Sequence, residues 1–280
     1  MLHQLADFLP FLLRGAAFVL LFFVVGLWLT SIVMKDSSIV DVFWGPGCAA
    51  VGWVYYLSAP STPRATLAIA LASVWGLRLG AYIGRRNWGA EDARYARLRR
   101  HITDQGRDYT MYSLRAVFAY QGAAMVVCTL PLLFAIATPG GAIGPLAWIG
   151  AAVSIVGLLT EIIADQQMAA FRAGPRERGE VMDRGLWRYS RHPNYFGEML
   201  VQWGFFLVAL DSGPLAALSI VAPALLSYLI MGPMGAALLE RRLVKKNPGY
   251  GEYIAQTSAF VPMPPKRGEL PTPPTAHPMS

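Results

Sequence analysis

The sequence predicts an all-α integral membrane protein, a bundle of seven transmembrane helices with its N-terminus outside and its C-terminus in the cytoplasm. Three observations support this fold class. The 280-residue chain is 55% hydrophobic and only 15% charged, which is too apolar for an ordinary soluble domain of this length. Seven apolar segments occur along the chain, and its basic residues concentrate in alternate loops between them.

Most of the seven segments have the roughly 20 residues that a helix needs to cross a bilayer. The sixth is the shortest and carries Gln202. In chain order, the segments are residues 11–34, 39–58, 65–84, 116–137, 145–164, 195–210 and 215–238. Core helices of a soluble domain could imitate one or two such segments but hardly seven, so the pattern favours a multi-pass membrane protein.

The distribution of Lys and Arg predicts the orientation of the spans. The loops after spans 1, 3, 5 and 7 hold 21 of the 24 basic residues, whereas Arg14 and Arg64 fall on the opposite side and Arg78 lies within span 3. Basic residues concentrate in cytoplasmic loops, so topology accounts for the net charge of +7. Since the chain carries no nucleic-acid-binding motif, we expect no nucleic-acid partner.

Cysteine and histidine usage excludes some classes of site. Cys48 and Cys128 each lie within an apolar span, so neither a disulfide nor a cysteine metal site is indicated. His192 has no second ligand at a metal-binding spacing, so we expect no metal.

The short loops and the absence of an organelle-targeting signal favour a bacterial inner membrane, where we expect a monomer surrounded by membrane lipids.

Ionisable residues within apolar segments are expected to be functional, because a charge inside the bilayer is costly. Asp41 opens span 2, and Arg78 lies in span 3. Glu161 and Asp165, four residues apart near the end of span 5, share one helix face. Glu198 begins span 6. A structural role is the alternative: Asp41 could pair with Arg78, and Glu161 or Asp165 with an arginine of the following loop.

The most informative stretch is Gly185–Glu198, GLWRYSRHPNYFGE, which leads directly into the sixth apolar segment. Arg188, Arg191, His192 and Asn194 crowd this stretch with hydrogen-bonding groups. Guanidinium groups bind phosphates in a bidentate manner, so we expect an anionic, nucleotide-like cofactor at the cytoplasmic edge of the bilayer. No GxGxxG follows a strand and no P-loop is present, which predicts a binding mode unlike the Rossmann fold.

The segment after span 7 adds a second group of polar residues. Glu240 and Arg241 stand at the cytoplasmic end of the span, and Tyr253 follows shortly after. These side chains could close over a bound cofactor. Equally, Tyr253 could be an aromatic anchor at the membrane interface.

The motif from Gly185 to Glu198 closely resembles the C-terminal domain of the steroid 5α-reductases. The variant Arg191–Tyr195, RHPNY, also resembles the sterol reductases of the same superfamily. The resemblance extends from about Glu161 to Pro262 and is weaker over the first 115 residues. Membrane isoprenylcysteine carboxyl methyltransferases carry a related Arg-His-Pro motif and a comparable Glu–Arg pair after the last helix.

The resemblance implies a seven-helix bundle that binds NADPH from the cytoplasmic side. It divides the chain into helices 1–3 with a basic loop on the substrate side, residues 1–115, and helices 4–7 with the NADPH-binding loops, residues 116–262. A tail rich in Pro and Thr, residues 263–280, is predicted to be disordered. The expected cofactor-binding residues are Glu161, Asp165, Arg172, Arg188, Tyr189, His192, Asn194, Glu198, Glu240, Arg241 and Tyr253. Glu161 stands where relatives have an asparagine.

The resemblance also implies a substrate end. Asp41 matches a glutamate that faces the steroid ketone in relatives, Trp75 falls where they have a tyrosine, and Glu198 completes the expected catalytic set. A protonated Asp41, favoured by burial in an apolar site, would donate a hydrogen bond to the ketone. The indole N–H of Trp75 can donate one as well.

We therefore expect an NADPH-dependent reductase that transfers hydride to the C=C bond of a 3-oxo-4-ene steroid or a similar cyclic enone. One alternative is a methyltransferase that uses S-adenosylmethionine and resembles the isoprenylcysteine carboxyl methyltransferases. A second is a non-catalytic membrane protein that binds sterols or other lipids. The identity of the bound cofactor separates all three.

Overall fold

The structure is a computed structural model that describes residues 2–87, 89, 91–140, 142–175, 179–232, 235–247 and 249–266. The protein is 78% helical, and the described residues include no strand, which confirms the all-α class. The α-helices are α1 Leu2–Ala6, α2 Leu9–Phe18, α3 Leu27–Met34, α4 Ile39–Val42, α5 Trp44–Ser58, α6 Pro63–Arg86, α7 Ala93–Asp104, α8 Tyr109–Ser113, α9 Tyr120–Cys128, α10 Leu130–Ala137, α11 Pro145–Ala173, α12 Pro193–Leu210, α13 Val221–Met231, α14 Ala236–Lys246 and α15 Tyr250–Gln256.

Several helices are joined by tighter or wider turns. Val19–Gly26 and Leu114–Ala119 are π-helical, and each continues an adjoining α-helix without a break. Gly185–Arg188 and Pro214–Ile220 are 3₁₀-helical. Two predicted single segments are therefore composite: residues 39–58 form α4 and α5, and residues 215–238 include a 3₁₀ turn followed by α13.

Five continuous helical stretches are long and apolar enough to cross a membrane. They are His3–Met34, Pro63–Arg86, Tyr109–Ala137, Pro145–Ala173 and Pro214–Lys245, the last of which runs across residues 233 and 234, outside the described part. Many of their exposed side chains are large and apolar, as with Phe22 and Val33, which suits contact with lipid. The protein is therefore a multi-pass membrane protein, while the predicted count of seven spans and their orientation stay predictions.

Helix boundaries follow local capping chemistry. Thr62 precedes α6, its hydroxyl accepts a hydrogen bond from the backbone N–H of Ala65 at 3.1 Å, and Pro63 occupies the first helical position. Asp92 caps α7 in the same way through the N–H of Arg94 at 2.9 Å. The first long stretch ends where Lys35 adopts a left-handed conformation, with φ of 55°.

The chain forms two compact units, and the predicted division of function at residue 115 stays a prediction. Unit 1 consists of Met1–Leu158 and Met199–Tyr228, and unit 2 of Leu159–Glu198 and Leu229–Ser280. In unit 1, α5 and α6 approach closely at Gly45 and Gly76, because a Cβ on Gly45 would lie 2.6 Å from the carbonyl oxygen of Gly76. Small residues permit such contacts between membrane helices.

Unit 2 is built around the Gly185–Glu198 motif. The backbone N–H of Arg191 donates to the carbonyl of Ser258 at 2.8 Å, and that of Met263 donates to the carbonyl of Tyr189 at 2.9 Å. Lys266 makes a further backbone hydrogen bond to Gln256 at 2.9 Å. Met263 and Lys266, at the start of the predicted tail, thus make backbone hydrogen bonds within the unit, whereas residues 267–280 lie outside the described part.

Candidate functional site

The start of the motif is fixed against the end of α11 within unit 2. Gly185 has φ of +59°, a left-handed conformation that glycine adopts most easily. The backbone N–H of Leu186 donates to Oε1 of Gln167 at 2.9 Å. The indole N–H of Trp187, which is buried, donates to the carbonyl of Ala164 at 3.0 Å. These bonds orient the following residues, 188–194, relative to α11.

Arg191 and His192 both bind Glu240, which lies on α14. Arg191 Nε is 2.7 Å from Oε1 of Glu240 and Nη2 is 3.2 Å from Oε2, a bidentate pair. Nε2 of His192 lies 2.8 Å from the same Oε1. Arg191 Nη1 also donates to the carbonyl of Ile254 at 3.2 Å. The result is a nearly buried charged network that ties the motif to α14 and α15.

Aromatic packing completes this network. The ring of His192 stacks between those of Tyr195 and Phe260, with centroid distances of 5.5 and 5.4 Å. The hydroxyl of Tyr253 donates to the carbonyl of Trp187. Burial raises the pKa of Tyr253 above its usual value, so the hydroxyl keeps its proton and remains a donor.

Three predicted cofactor ligands, His192, Glu240 and Tyr253, are therefore brought together, but as partners of the protein. Their polar atoms bind Arg191, Trp187 and one another, and these bonds hold the residues of the Gly185–Glu198 motif in place. Their expected contact with a cofactor stays a prediction.

A second polar group of unit 2 lies along α11 and the start of α12. Nδ2 of Asn194 donates to Oδ1 of Asp165 at 3.3 Å. Asp165 and Glu161 are both buried, at 3% and 2% exposure, and are separated by one helical turn. Glu198 follows Asn194 by one turn on α12 and is half-buried. The structure thus joins Asp165 to Asn194, two residues that the resemblance places among the cofactor ligands, and offers carboxylate and amide groups suited to hydroxyl and carboxamide partners.

The remaining predicted ligands are at the surface of unit 2. Arg172, Arg188, Tyr189 and Arg241 are all exposed. Arg188 borders a cleft of about 760 Å³. The cleft is lined by Gly179, Glu180, Val181, Asp183, Arg184, Arg188, Gly249, Glu252, Tyr253, Gln256, Thr257 and Pro265. Guanidinium groups such as those of Arg172, Arg188 and Arg241 are of a kind that binds phosphates, whereas carboxylates such as those of Glu161 and Asp165 are of a kind that binds hydroxyl or amide groups.

Asp41 of unit 1 has a different setting from the one expected. Its Oδ2 accepts a hydrogen bond from Nη2 of Arg94 at 2.7 Å, and its Oδ1 accepts one from the hydroxyl of Tyr95 at 2.7 Å. Gln121 Nε2 in turn donates to the Tyr95 hydroxyl at 3.1 Å. Both oxygens of Asp41 therefore accept hydrogen bonds in this structure, and the expectation that Asp41 donates to a ketone stays a prediction. Its ionic partner is Arg94 rather than Arg78.

Trp75, on α6, differs from Asp41 in its hydrogen bonding. Its side chain is 1% exposed and packs edge-on against Phe205 at a centroid distance of 5.9 Å. Its indole N–H has no hydrogen-bond acceptor among the described residues. Gln202 lies one turn before Phe205 on α12, is also buried, and its Oε1 has no donor within the part of the chain that the structure covers.

The sequence reasoning missed Arg94, Tyr95, Gln121 and the unsatisfied carbonyl of Gln202. In the sequence, Arg94 indicates topology only, and no sequence feature distinguishes it from the other arginines of its loop. Gln202 was noticed as a polar residue in an apolar span, which was a usable signal. The partners of Asp41 could not be identified from the sequence, because they lie 53 and 54 positions later.

Comparison with known proteins identifies the family. The profile of a family described as "Protein of unknown function (DUF1295)" matches residues 27–257. A relative from Schizosaccharomyces pombe, described as an uncharacterized protein, is 26% identical over 279 residues, covering 87% of this chain and 78% of the relative. No solved structure matches. The chain belongs to the DUF1295 family, which is related to the steroid 5α-reductase-like membrane proteins.

Proposed function

We propose that this protein is an NADPH-dependent membrane reductase that transfers hydride to the C=C bond of a 3-oxo-4-ene steroid or a similar cyclic enone. The relation of its family to the steroid 5α-reductase-like proteins supports the reaction class. The unsatisfied N–H of Trp75 is the observation that carries the proposal, because a buried donor without an acceptor costs about 1–3 kcal/mol. A substrate carbonyl would remove that cost.

Unit 2 supplies the groups that would hold the cofactor. Arg172 and Arg188 would bind its phosphates, and several negative charges favour NADPH over NADH. Asp165 and Asn194, which contact each other at 3.3 Å, would bind hydroxyl or carboxamide groups. Bound NADPH supplies the hydride. These side chains would bind and orient the cofactor and exclude water from around it.

The substrate end calls for a donor placed where negative charge develops. Hydride addition at the β-carbon of an enone moves the electron pair of the C=C bond toward the carbonyl oxygen, which becomes an enolate; a proton from solvent at the α-carbon completes the reduction. The N–H of Trp75 would donate to that oxygen. Such oxyanion donors are usually the strongest single contribution to catalysis.

Gln202 refines the substrate class. Its buried Oε1 accepts hydrogen bonds and has no donor within the described residues, whereas Trp75 offers a donor. A ligand with both a carbonyl and a hydroxyl group would satisfy both side chains. This pattern supports an oxygenated polycyclic lipid over a plain hydrocarbon chain.

The test uses detergent-purified, full-length protein. We expect it to bind NADPH more tightly than NADH and to oxidise NADPH when a 4-ene-3-keto steroid is added, with a product heavier by two hydrogens. Binding of S-adenosylmethionine with no affinity for NADPH would contradict the proposal in favour of a methyltransferase. Steroid binding without affinity for either cofactor would contradict it in favour of a lipid-binding protein.

A further inference from the structure

Helix α7 lies at the shared end of three membrane-spanning helices of unit 1. Arg99 Nη2 donates to the carbonyl of Lys35 at 2.8 Å, immediately after the stretch His3–Met34. Asp92, which caps α7, lies 3.8 Å from Nη2 of Arg86, the last residue of α6. The guanidinium of Arg99 lies 4.7 Å from the ring centroid of Tyr109, where the next apolar stretch begins. These contacts hold α7 at the depth where spans leave the hydrocarbon core, which is the headgroup region.

The arginines of α7 divide into two sets. Arg94 binds Asp41 and Asp92, and Arg99 binds Glu91 at 2.7 Å. Both guanidinium groups therefore have ion-pair partners within the protein. Tyr95 and Ile102 form the buried side of the helix.

Arg97 and Arg100 form the second set and are exposed, with no ion pair among the described residues. Arg100 makes a single, long hydrogen bond of 3.4 Å to the carbonyl of Ala96. The two side chains are three residues apart, so they lie on one helix face. Asp104, an exposed acid, follows Arg100 by one turn, so the pair retains a net positive charge.

We propose that Arg97 and Arg100 form a binding site for the phosphate groups of acidic phospholipids, which makes α7 an interfacial helix that lies on an anionic leaflet. Guanidinium groups bind phosphate in a bidentate manner. The occupant is a lipid because the neighbouring span ends place both arginines at headgroup depth, where lipid phosphates are concentrated. The site does not depend on the reductase proposal.

The experiment compares lipid retention by native mass spectrometry after the protein is equilibrated with an equimolar mixture of phosphatidylglycerol and phosphatidylcholine. The wild type should retain phosphatidylglycerol preferentially. Arg97→Gln and Arg100→Gln should each reduce that preference about fivefold, the loss expected for one basic residue near an anionic surface. The matched control is Arg14→Gln, which removes an exposed arginine from α2.

Two results would overturn the site. Equal loss in Arg14→Gln would show that retention follows total charge. An unchanged preference in the double variant would show that Arg97 and Arg100 bind no lipid. A third arm adds inorganic phosphate in place of acidic lipid; thermal stabilisation of the wild type by phosphate alone, absent in the double variant, would assign the site to a free anion and reject the lipid. Far-UV circular dichroism confirms that the variants remain helical.

Discussion

Two groups of buried polar side chains, one in each unit, differ in whether their atoms have hydrogen-bond partners. Around Glu240 in unit 2, Arg191, His192 and Tyr253 each find a partner, and the whole group ties the motif to α14 and α15. At the contact of α6 with α12 in unit 1, Trp75 and Gln202 are just as buried, yet the indole N–H and the amide oxygen have no partners among the described residues.

This difference indicates which buried polar side chains stabilise the fold and which are candidates for binding a ligand. A buried polar network whose members are satisfied stabilises one conformation and rigidifies it. Buried polar atoms left without partners destabilise the protein on their own, and native proteins tolerate few of them. The comparison therefore predicts that substitutions around Glu240 lower stability, whereas substitutions at Trp75 lower activity while stability is retained.

The largest expected effect is that of Trp75→Phe. The substitution removes the N–H that would stabilise the enolate and keeps an aromatic ring against Phe205, so turnover should fall about 10²–10³-fold with NADPH affinity unchanged. Turnover of enone by the purified variant is the measurement. Trp53→Phe is the control, because Trp53 is half-exposed and its N–H already binds Ser73 at 3.1 Å. Equal activity in the two variants would remove Trp75 from the site.

Glu240→Ala tests whether the hydrogen-bonded network around Glu240 stabilises the protein. It leaves the guanidinium of Arg191 and the ring of His192 without their shared carboxylate partner, and breaking a buried pair costs about 3–5 kcal/mol. We expect a clearly lower melting temperature in detergent. Glu180→Ala is the control, since its partner Arg184 has a side chain that is 69% exposed and exposed pairs contribute little. A Glu240→Ala variant as stable as this control would show that the network is not structural.

Arg172→Gln asks whether an exposed arginine of unit 2 binds a phosphate. Loss of a charge-assisted hydrogen bond of about 1.5–3 kcal/mol should raise the Kd for NADPH about tenfold or more, without a change in melting temperature. Titration of NADPH binding measures it. Arg172→Lys should recover only part of the affinity, because lysine cannot form the bidentate contact; full recovery would point to charge alone.

Tyr253→Phe has the smallest expected effect. It removes the hydroxyl that donates to the carbonyl of Trp187 and, at 3.4 Å, to that of Ser190, and should lower stability by about 1 kcal/mol. NADPH affinity should be unchanged if the hydroxyl holds the loop and touches no cofactor. Thermal melts and NADPH titration of the same preparation distinguish the roles, and a loss of affinity at constant stability would return Tyr253 to the cofactor site.

Much of the fold could be predicted because long apolar segments have few alternatives to a membrane helix. Hydropathy is insensitive to backbone breaks, so it merged α4 with α5 at Phe43 and passed over the 3₁₀ turn Pro214–Ile220. The pairing of Asp165 with Asn194 was within reach, because the resemblance placed both residues among the cofactor ligands.

The partners of polar residues were harder to predict than the residues themselves. Asp41 was selected for being ionisable in an apolar segment, but its ligands Arg94 and Tyr95 lie on a helix beyond the next span. His192 and Glu240 are 48 positions apart, and nothing in either local sequence indicates their pairing. Composition shows which groups need partners, whereas only the fold shows which ones receive them.

The central claim is that the protein reduces a carbon–carbon double bond by hydride transfer, and the most direct measurement follows the hydride itself. Purified protein is supplied with NADPH deuterated at the transferable position of the nicotinamide and with a 4-ene-3-keto steroid. The account predicts one deuterium at the former β-carbon of a saturated product, and little product from the Trp75→Phe variant. NADPH bound with no deuterium in any product from a panel of cyclic enones would contradict the account.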